Sequence, residues 1–372
     1  MPGQKNCPGD FYTTMTFNPK WRISSKILSV AGSWLVISTS KSVNSAKWAK
    51  ATLPILLESA RRIRSLDWRI ICFRTKSPTK LKELTPFKFS ASAPMISLST
   101  VYLLNWVWVT DMFKRIKDSD DKDEKVVMLL PNPAAIYKNV AYLINTFRVS
   151  CRNLVVFTMD EWADQDGNIA PLNYGPGFGN AFFRFFYNEI DPELRPKLEN
   201  IHYPTNENIA VYSKMLQDEG EADITYSGCG WSGHSAFVDP VPQFGCVNGE
   251  IPTVDEWLQM GARVADLHLM TLAQNSLHAS FGMCGDIAFT PPRCATVGPR
   301  DLVNCKKILE LHFFSIGPTD ISWQKMMSRQ VCFGPVTPLV PDSLVQRAPD
   351  VDFYVTDLIA SPIEYDSQRQ YR

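Results

Sequence analysis

Two short segments of this chain hold residues whose types and spacing could move protons. In the first, the acidic pair Asp160-Glu161 follows almost directly on the apolar run Leu154–Thr158. A carboxylate at the end of an apolar strand costs several kcal/mol to bury unless it is hydrogen-bonded or paired. The pair is therefore either a hydrogen-bonded or paired functional acid at the strand end or simply a solvated turn or helix N-terminus. In the second, Gly228-Cys229-Gly230-Trp231-Ser232-Gly233-His234 places three glycines just ahead of an imidazole, and Asp239 stands five residues beyond it. Glycines let the backbone turn sharply and approach a ligand. An imidazole with an acid close enough to orient it suits proton transfer near neutral pH. Neither segment is specific alone, because G-x-G turns are common and a lone histidine is more often structural.

These loops need elements to hold them. Val126–Leu130 is an apolar run stopped by Pro131 and Pro133, as in a buried parallel strand. Ile136, Val140, Leu143, Ile144 and Phe147 then recur at helical spacing. Leu154–Thr158 and Ile224–Ser227 read as further strands, as do residues 294–297 and 308–315. Phe178–Ile190 and Ile209–Leu216 read as helices. Thr253 with Glu256 forms a capping box ahead of Trp257, Met260, Val264 and Leu267, predicting a helix through that stretch. The alternation predicts an α/β fold: an open, mostly parallel, doubly wound sheet with helices on both faces. Ligands in such sheets bind at the carboxyl ends of strands where strand order reverses. The loops around Pro131–Pro133, Met159–Trp162 and Gly228–Pro240 fall at strand ends.

Taken together, these segments resemble the glucosamine-6-phosphate deaminase family. Phe157-Thr158-Met159-Asp160-Glu161-Trp162 is similar to its F-x-MDE-aromatic element. Gly228–Pro240 (GCGWSGHSAFVDP) is similar to its G-x-G-x-DGH-x-AF-x-EP loop, and Ala295-Thr296-Val297-Gly298 to its A-x-TVG turn. The elements come in family order across about residues 107–345. The family is related to 6-phosphogluconolactonases, but Trp162 and Ala236-Phe237 resemble the deaminase side. The resemblance implies an aldose–ketose isomerase and deaminase acting on an amino-sugar phosphate. Asp160 would be the base between C2 and C1, His234 would assist ring opening, and Asp239 would orient it. Glu161, Gly228, Gly230, Ser232, Gly233, Pro131 and Asn132 would line the substrate, with no cofactor and no metal. Two departures stand out. The family's acid before Gly-His is Ser232 here, and its LPTG-x-TP phosphate loop aligns with Leu130–Ala135, which has two prolines, no glycine and no hydroxyl. The family's phosphate-binding Arg and Lys have no aligned counterparts, leaving Arg293, Arg300, Lys325 and Arg329 as cations the fold could supply. These departures keep two alternatives open: a weak or inactive sugar-phosphate sensor, or a 6-phosphogluconolactonase-like hydrolase.

Composition sets the outer limits. The chain has 372 residues, 45% of them hydrophobic and 20% charged, enough for a large buried core. Net charge is zero, yet residues 1–100 hold 16 Lys+Arg against 4 Asp+Glu. The division expected is a basic extension over 1–88, poorly ordered or a targeting segment, and an α/β domain over 89–372. Neither a nucleic acid nor a membrane is called for as a partner, and a homo-oligomer is compatible with the sequence. The uncharged stretch Phe89–Val109 is long enough to span a bilayer, but its Ser, Thr, Asn and Pro content reads as buried soluble structure. Nine dispersed cysteines without a CxxC pair read as reduced thiols of a cytoplasmic protein, and their spacing argues against structural zinc.

Overall fold

The computed structural model describes residues 71–75, 97–131, 136–316 and 319–363, with 71–75 and 97–103 described by backbone alone. All of them belong to one compact unit, Ala60–Arg372. Asn132 and, apart from 71–75, the stretch read as an extension over 1–88 lie outside the described residues.

In chain order the strands are β1 (Ile71–Thr75), β2 (Val126–Leu130), β3 (Leu154–Thr158), β4 (Asp160–Ala163), β5 (Ile201–His202), β6 (Ile224–Ser227), β7 (Arg263–Asp266), β8 (Arg293–Thr296), β9 (Ile308–His312) and β10 (Val351–Val355). The longer helices are α1 (Ser97–Lys122), α2 (Tyr137–Phe147), α3 (Phe178–Phe185), α4 (Tyr212–Asp218), α5 (Leu269–Ser276) and α6 (Gln324–Phe333). The large sheet runs β1-β10-β9-β6-β2-β3-β5, and every pairing in it is parallel except β1 with β10. Every residue of β2, β3, β6 and β9 is buried, as strands covered on both faces require. From β2 the chain steps outward through β3 to β5. It then returns to β6, beside β2, and proceeds through β9 to β10. Right-handed crossovers taken in opposite directions lay helices on opposite faces. The order reverses between β2 and β6, so the fold is the open, mostly parallel, doubly wound sheet expected from the sequence.

Four features extend or correct the sequence reading. The uncharged stretch before residue 109 leads into α1, a 26-residue helix that also takes in the charged Asp111–Lys122. Its Trp108 stacks on Tyr226 of β6 (5.7 Å) and meets Tyr137 of α2 edge-on (5.6 Å). Among the described residues no helix is long and apolar enough to cross a membrane. Second, the capping box at Thr253 and Glu256 forms, but its helix stops at Trp257 and 263–266 is strand β7. Pairing with β8 overrides the helical spacing of Val264 and Leu267. Third, β4, β8 and β7 make a separate antiparallel sheet that the sequence did not announce. Last, Ile71–Thr75, inside the stretch read as an extension, adds β1 to the edge of the large sheet, with Ile71 opposite Val355.

Candidate active site

Between the end of β3 and the start of β4 stands one residue, Met159. Its N–H donates to the Leu130 carbonyl of β2 (2.9 Å), and its carbonyl accepts from the Val297 N–H just past β8 (2.9 Å). That residue splices the chain from the large sheet into the small one. Asp160 and Glu161 follow on β4, where successive side chains point to opposite faces. They are buried strand residues, so the solvated-turn and helix-start readings do not hold.

Asp160 pairs across the strand with Thr296 of β8, and its Oδ1 accepts the Phe237 N–H (3.1 Å). Ala236 sits in the left-handed region (φ 51°), which turns that N–H toward the acid. Burial pushes the Asp160 carboxyl from 3.8 up to about 7, against the opposing pull of Thr296, nearby His234 and the Phe237 amide. Glu161 faces the other way. Its Oε1 accepts the N–H groups of Trp162 (2.9 Å) and Phe178 (3.0 Å), and its Oε2 that of Gly179 (2.7 Å). It caps the N-terminus of α3 from a distance in sequence, satisfying donors the helix cannot. Burial still raises its carboxyl, with those three amides working against the rise. Among the described residues the donors to Glu161 are all backbone N–H groups, which gives the carboxylate a structural task beside the substrate contact expected of it.

The glycine loop after β6 holds the imidazole. A methyl group on Gly230 would sit 2.0 Å from His234 Nε2, so the ring packs directly on that α-carbon and only glycine fits. Gly233 has φ +82° and offers its carbonyl to the Asp342 N–H (2.8 Å). Gly228 packs against the Leu311 carbonyl of β9. These last two glycines fix the loop to the protein. Next to Gly230, the Trp231 N–H donates to Gln274 Oε1 of α5 (2.6 Å). The Trp231 indole stacks on Trp323 (5.4 Å), which stacks on Phe314 (4.3 Å).

His234 Nδ1 lies 2.9 Å from Ser232 Oγ, 2.8 Å from Thr271 Oγ1 and 3.5 Å from Asp239 Oδ1. Both hydroxyls donate to Asp239 Oδ1, at 2.6 Å from Ser232 and 3.0 Å from Thr271. Hydroxyls that spend their protons on a carboxylate can only accept from Nδ1, which assigns the proton to Nδ1 and leaves Nε2 as a base. Burial alone would raise Asp239, yet bonds from His234, Ser232 and the His268 amide (3.0 Å) hold it below the ordinary carboxylate value. Ser232, standing where the family has an acid, thus bridges His234 and Asp239 through its hydroxyl.

Asp160, His234, Ser232 and Asp239 are brought together; Phe237, whose N–H binds Asp160, lies 5.8 Å ring to ring from His234. Pro131 ends β2, with its carbonyl accepting the Tyr137 hydroxyl (3.2 Å). Three cations named from the sequence are committed elsewhere. Arg293 pairs with Asp266 (2.7 Å), Arg300 with Glu221 (2.9 Å) and Asp301 (3.1 Å), and Arg329 with the carbonyls of 359–361. Lys325 is half-buried on α6. Sequence reasoning missed Thr271 and the role of Thr296, whose distance along the chain gives no spacing signal.

No protein-family model matches the chain. It is 24% identical over 226 residues to the glucosamine-6-phosphate deaminase of Lachnoclostridium phytofermentans, covering 59% of this chain and 80% of that one. It is 21% identical over 228 residues to that of Staphylococcus aureus, covering 60% and 77%. Among solved structures, a monomeric glucosamine-6-phosphate deaminase superposes with a TM-score of 0.53 at 19% identity, over 68% of this chain and 94% of the other. By sequence and by fold, the chain is a divergent relative of the glucosamine-6-phosphate deaminase family.

Proposed function

We propose that the chain is an isomerase-deaminase of amino-sugar phosphates, with Asp160 as base and His234 as the ring-opening group. One observation carries the reading: a fully buried carboxyl at about 7 stands beside an imidazole linked through two hydroxyls to an ionised second carboxylate. The relationship to glucosamine-6-phosphate deaminases supports the substrate class.

His234 Nε2 moves a proton from the anomeric hydroxyl to the ring oxygen, which breaks the C1–O5 bond and opens the sugar. Ionised Asp160 then removes the C2 proton and returns it to C1 while O1 takes up a proton that the nitrogen gives up, turning the amino aldose into the 2-imine of the ketose. Water adds at C2 and ammonia leaves, so amino-sugar phosphate plus water gives ketose phosphate plus ammonia. A carboxyl near 7 suits this step, since it must both take and release the proton at neutral pH. Asp239 stabilises the imidazolium that forms transiently, acting through Ser232 and Thr271.

Ammonia release from glucosamine 6-phosphate and its epimers tests the reading. Asp160→Asn should lower turnover on the order of 10²–10⁴-fold while leaving ligand affinity within about tenfold, because the base acts only in proton transfer. An Asp160→Asn chain with wild-type turnover would exclude the residue from the mechanism. Stabilisation by sugar phosphates without ammonia release would instead favour a sensor, and lactone hydrolysis above the spontaneous rate a hydrolase.

A further inference from the structure

Behind the glycine loop lies a second cluster of ionisable side chains that the proposed chemistry does not use. Cys229 of the loop, His312 at the end of β9 and Asp342 of the 3-10 turn Pro341–Arg347 are all buried, and one ligating atom of each lies within 4.8 Å of the others. Asp342 is 0% exposed, yet among the described residues neither of its carboxylate oxygens has a hydrogen-bond donor, and neither does Oε2 of equally buried Glu310. Polar groups this deep are nearly always satisfied. A buried carboxylate that no protein donor satisfies is stabilised by a positive charge. His312 can supply only one, and it is shared: Nε2 is 2.8 Å from Glu310 Oε1 and 3.6 Å from Asp342 Oδ2. The other ring nitrogen, Nδ1, is held 2.6 Å from Ser328 Oγ of α6, which fixes the ring with Nε2 aimed into the cluster. Metal-ligating histidines are held in this way, by an outer hydrogen bond on the second nitrogen.

We propose that Cys229, His312 and Asp342 bind one divalent cation of the zinc class, with Glu310 in reach to close the coordination sphere. A thiolate with an imidazole and a carboxylate selects a borderline transition metal over magnesium or calcium, which take oxygen ligands. Tetrahedral zinc spaces its ligand atoms roughly 3.3–3.8 Å apart. His312 Nε2 and Asp342 Oδ2 already stand at 3.6 Å. Binding releases the Cys229 thiol proton to solvent and neutralises the buried carboxylates. The ion would tie the loop that carries His234 to β9 and to the segment whose Asp342 N–H holds Gly233 (2.8 Å). None of this depends on the reaction proposed above, and the site is read without activity.

The test uses the full chain purified without chelator, with metal content measured by mass spectrometry. The same chain is then stripped and titrated with Zn²⁺ and Co²⁺. One equivalent of zinc, a raised Tm on re-addition and a thiolate-to-cobalt charge-transfer band are expected. Cys229→Ala should lose the band and the Tm rise. Cys305→Ala, which removes another buried thiol, should keep both. Should Cys229→Ala not fold, zinc-edge absorption of the unmodified chain decides: one sulfur with nitrogen and oxygen supports the site, and a shell with no sulfur or several overturns it. A chain that neither retains nor is stabilised by a stoichiometric ion also overturns it, and the cluster is then an ion pair centred on His312.

Discussion

Asp160 is held in a form that works against the fold at neutral pH. Burial is the main cause of its rise from 3.8 to about 7. Between those values the folded chain binds a proton that the unfolded chain releases, so stability falls as pH rises across that window. The contribution of this carboxyl is fully present below about pH 4 and lost above about 7. Asparagine carries no such charge and can still accept the Phe237 N–H. Asp160→Asn should therefore be more stable than the parent at pH 8, on the order of 1–4 kcal/mol at ~1.4 kcal/mol per pH decade. The gain should shrink toward pH 4, as read by calorimetric Tm at several pH values. A difference that does not vary with pH would mean the buried charge is not its source. The same ionisation should give ammonia release an acid limb near pH 7. The residues of this centre were partly legible. Asp160, His234 and Asp239 announce themselves by standing at strand ends and glycine turns. Thr271 reaches His234 only because α5 docks beside the loop, and no local pattern reports docking.

Elements are legible where burial is two-sided and opaque where a neighbour decides. The apolar runs of β2 and β3 could hardly be anything else, and the box at Thr253 and Glu256 marks a helix start through its own chemistry. The segment 263–266 has helical spacing, yet it lies against β8 and becomes strand. Glu161 shows the same limit for a single side chain. Next to Asp160 it looks like a partner in catalysis, but its charge serves α3, seventeen positions on (Phe178 N–H at 3.0 Å). Glu161→Gln keeps one acceptor and turns an NH₂ toward the Gly179 N–H, leaving donors unmatched in the interior. The expected loss is about 1–3 kcal/mol of unfolding free energy by denaturant titration. At temperatures where the variant is folded, KM should stay near the parent value. A large KM change in a stable variant would return Glu161 to the substrate.

Across the whole molecule, the strand order puts the reversal between β2 and β6, the strands that end at Pro131 and at the glycine loop. The boundary drawn from charge at residue 88 does not coincide with the fold, because β1 lies on the basic side of it. Removing residues 1–59 should leave the unit Ala60–Arg372 folded with its Tm little changed. Removing 1–88 should expose the edge of β10, lowering Tm or promoting self-association by light scattering. Equal behaviour of the two truncations would show that β1 contributes nothing. The splice at Met159 carries a consequence for how this lineage can change. Because one residue separates the two sheets, inserting or deleting a single position there would flip the strand about its axis. A deletion would bring Glu161 to the position proposed for proton transfer and Trp162 to the helix cap, and an insertion would move Asp160 to the cap, with no side chain replaced. Reading frame along β4, more than residue identity, is what divergence in this region must preserve.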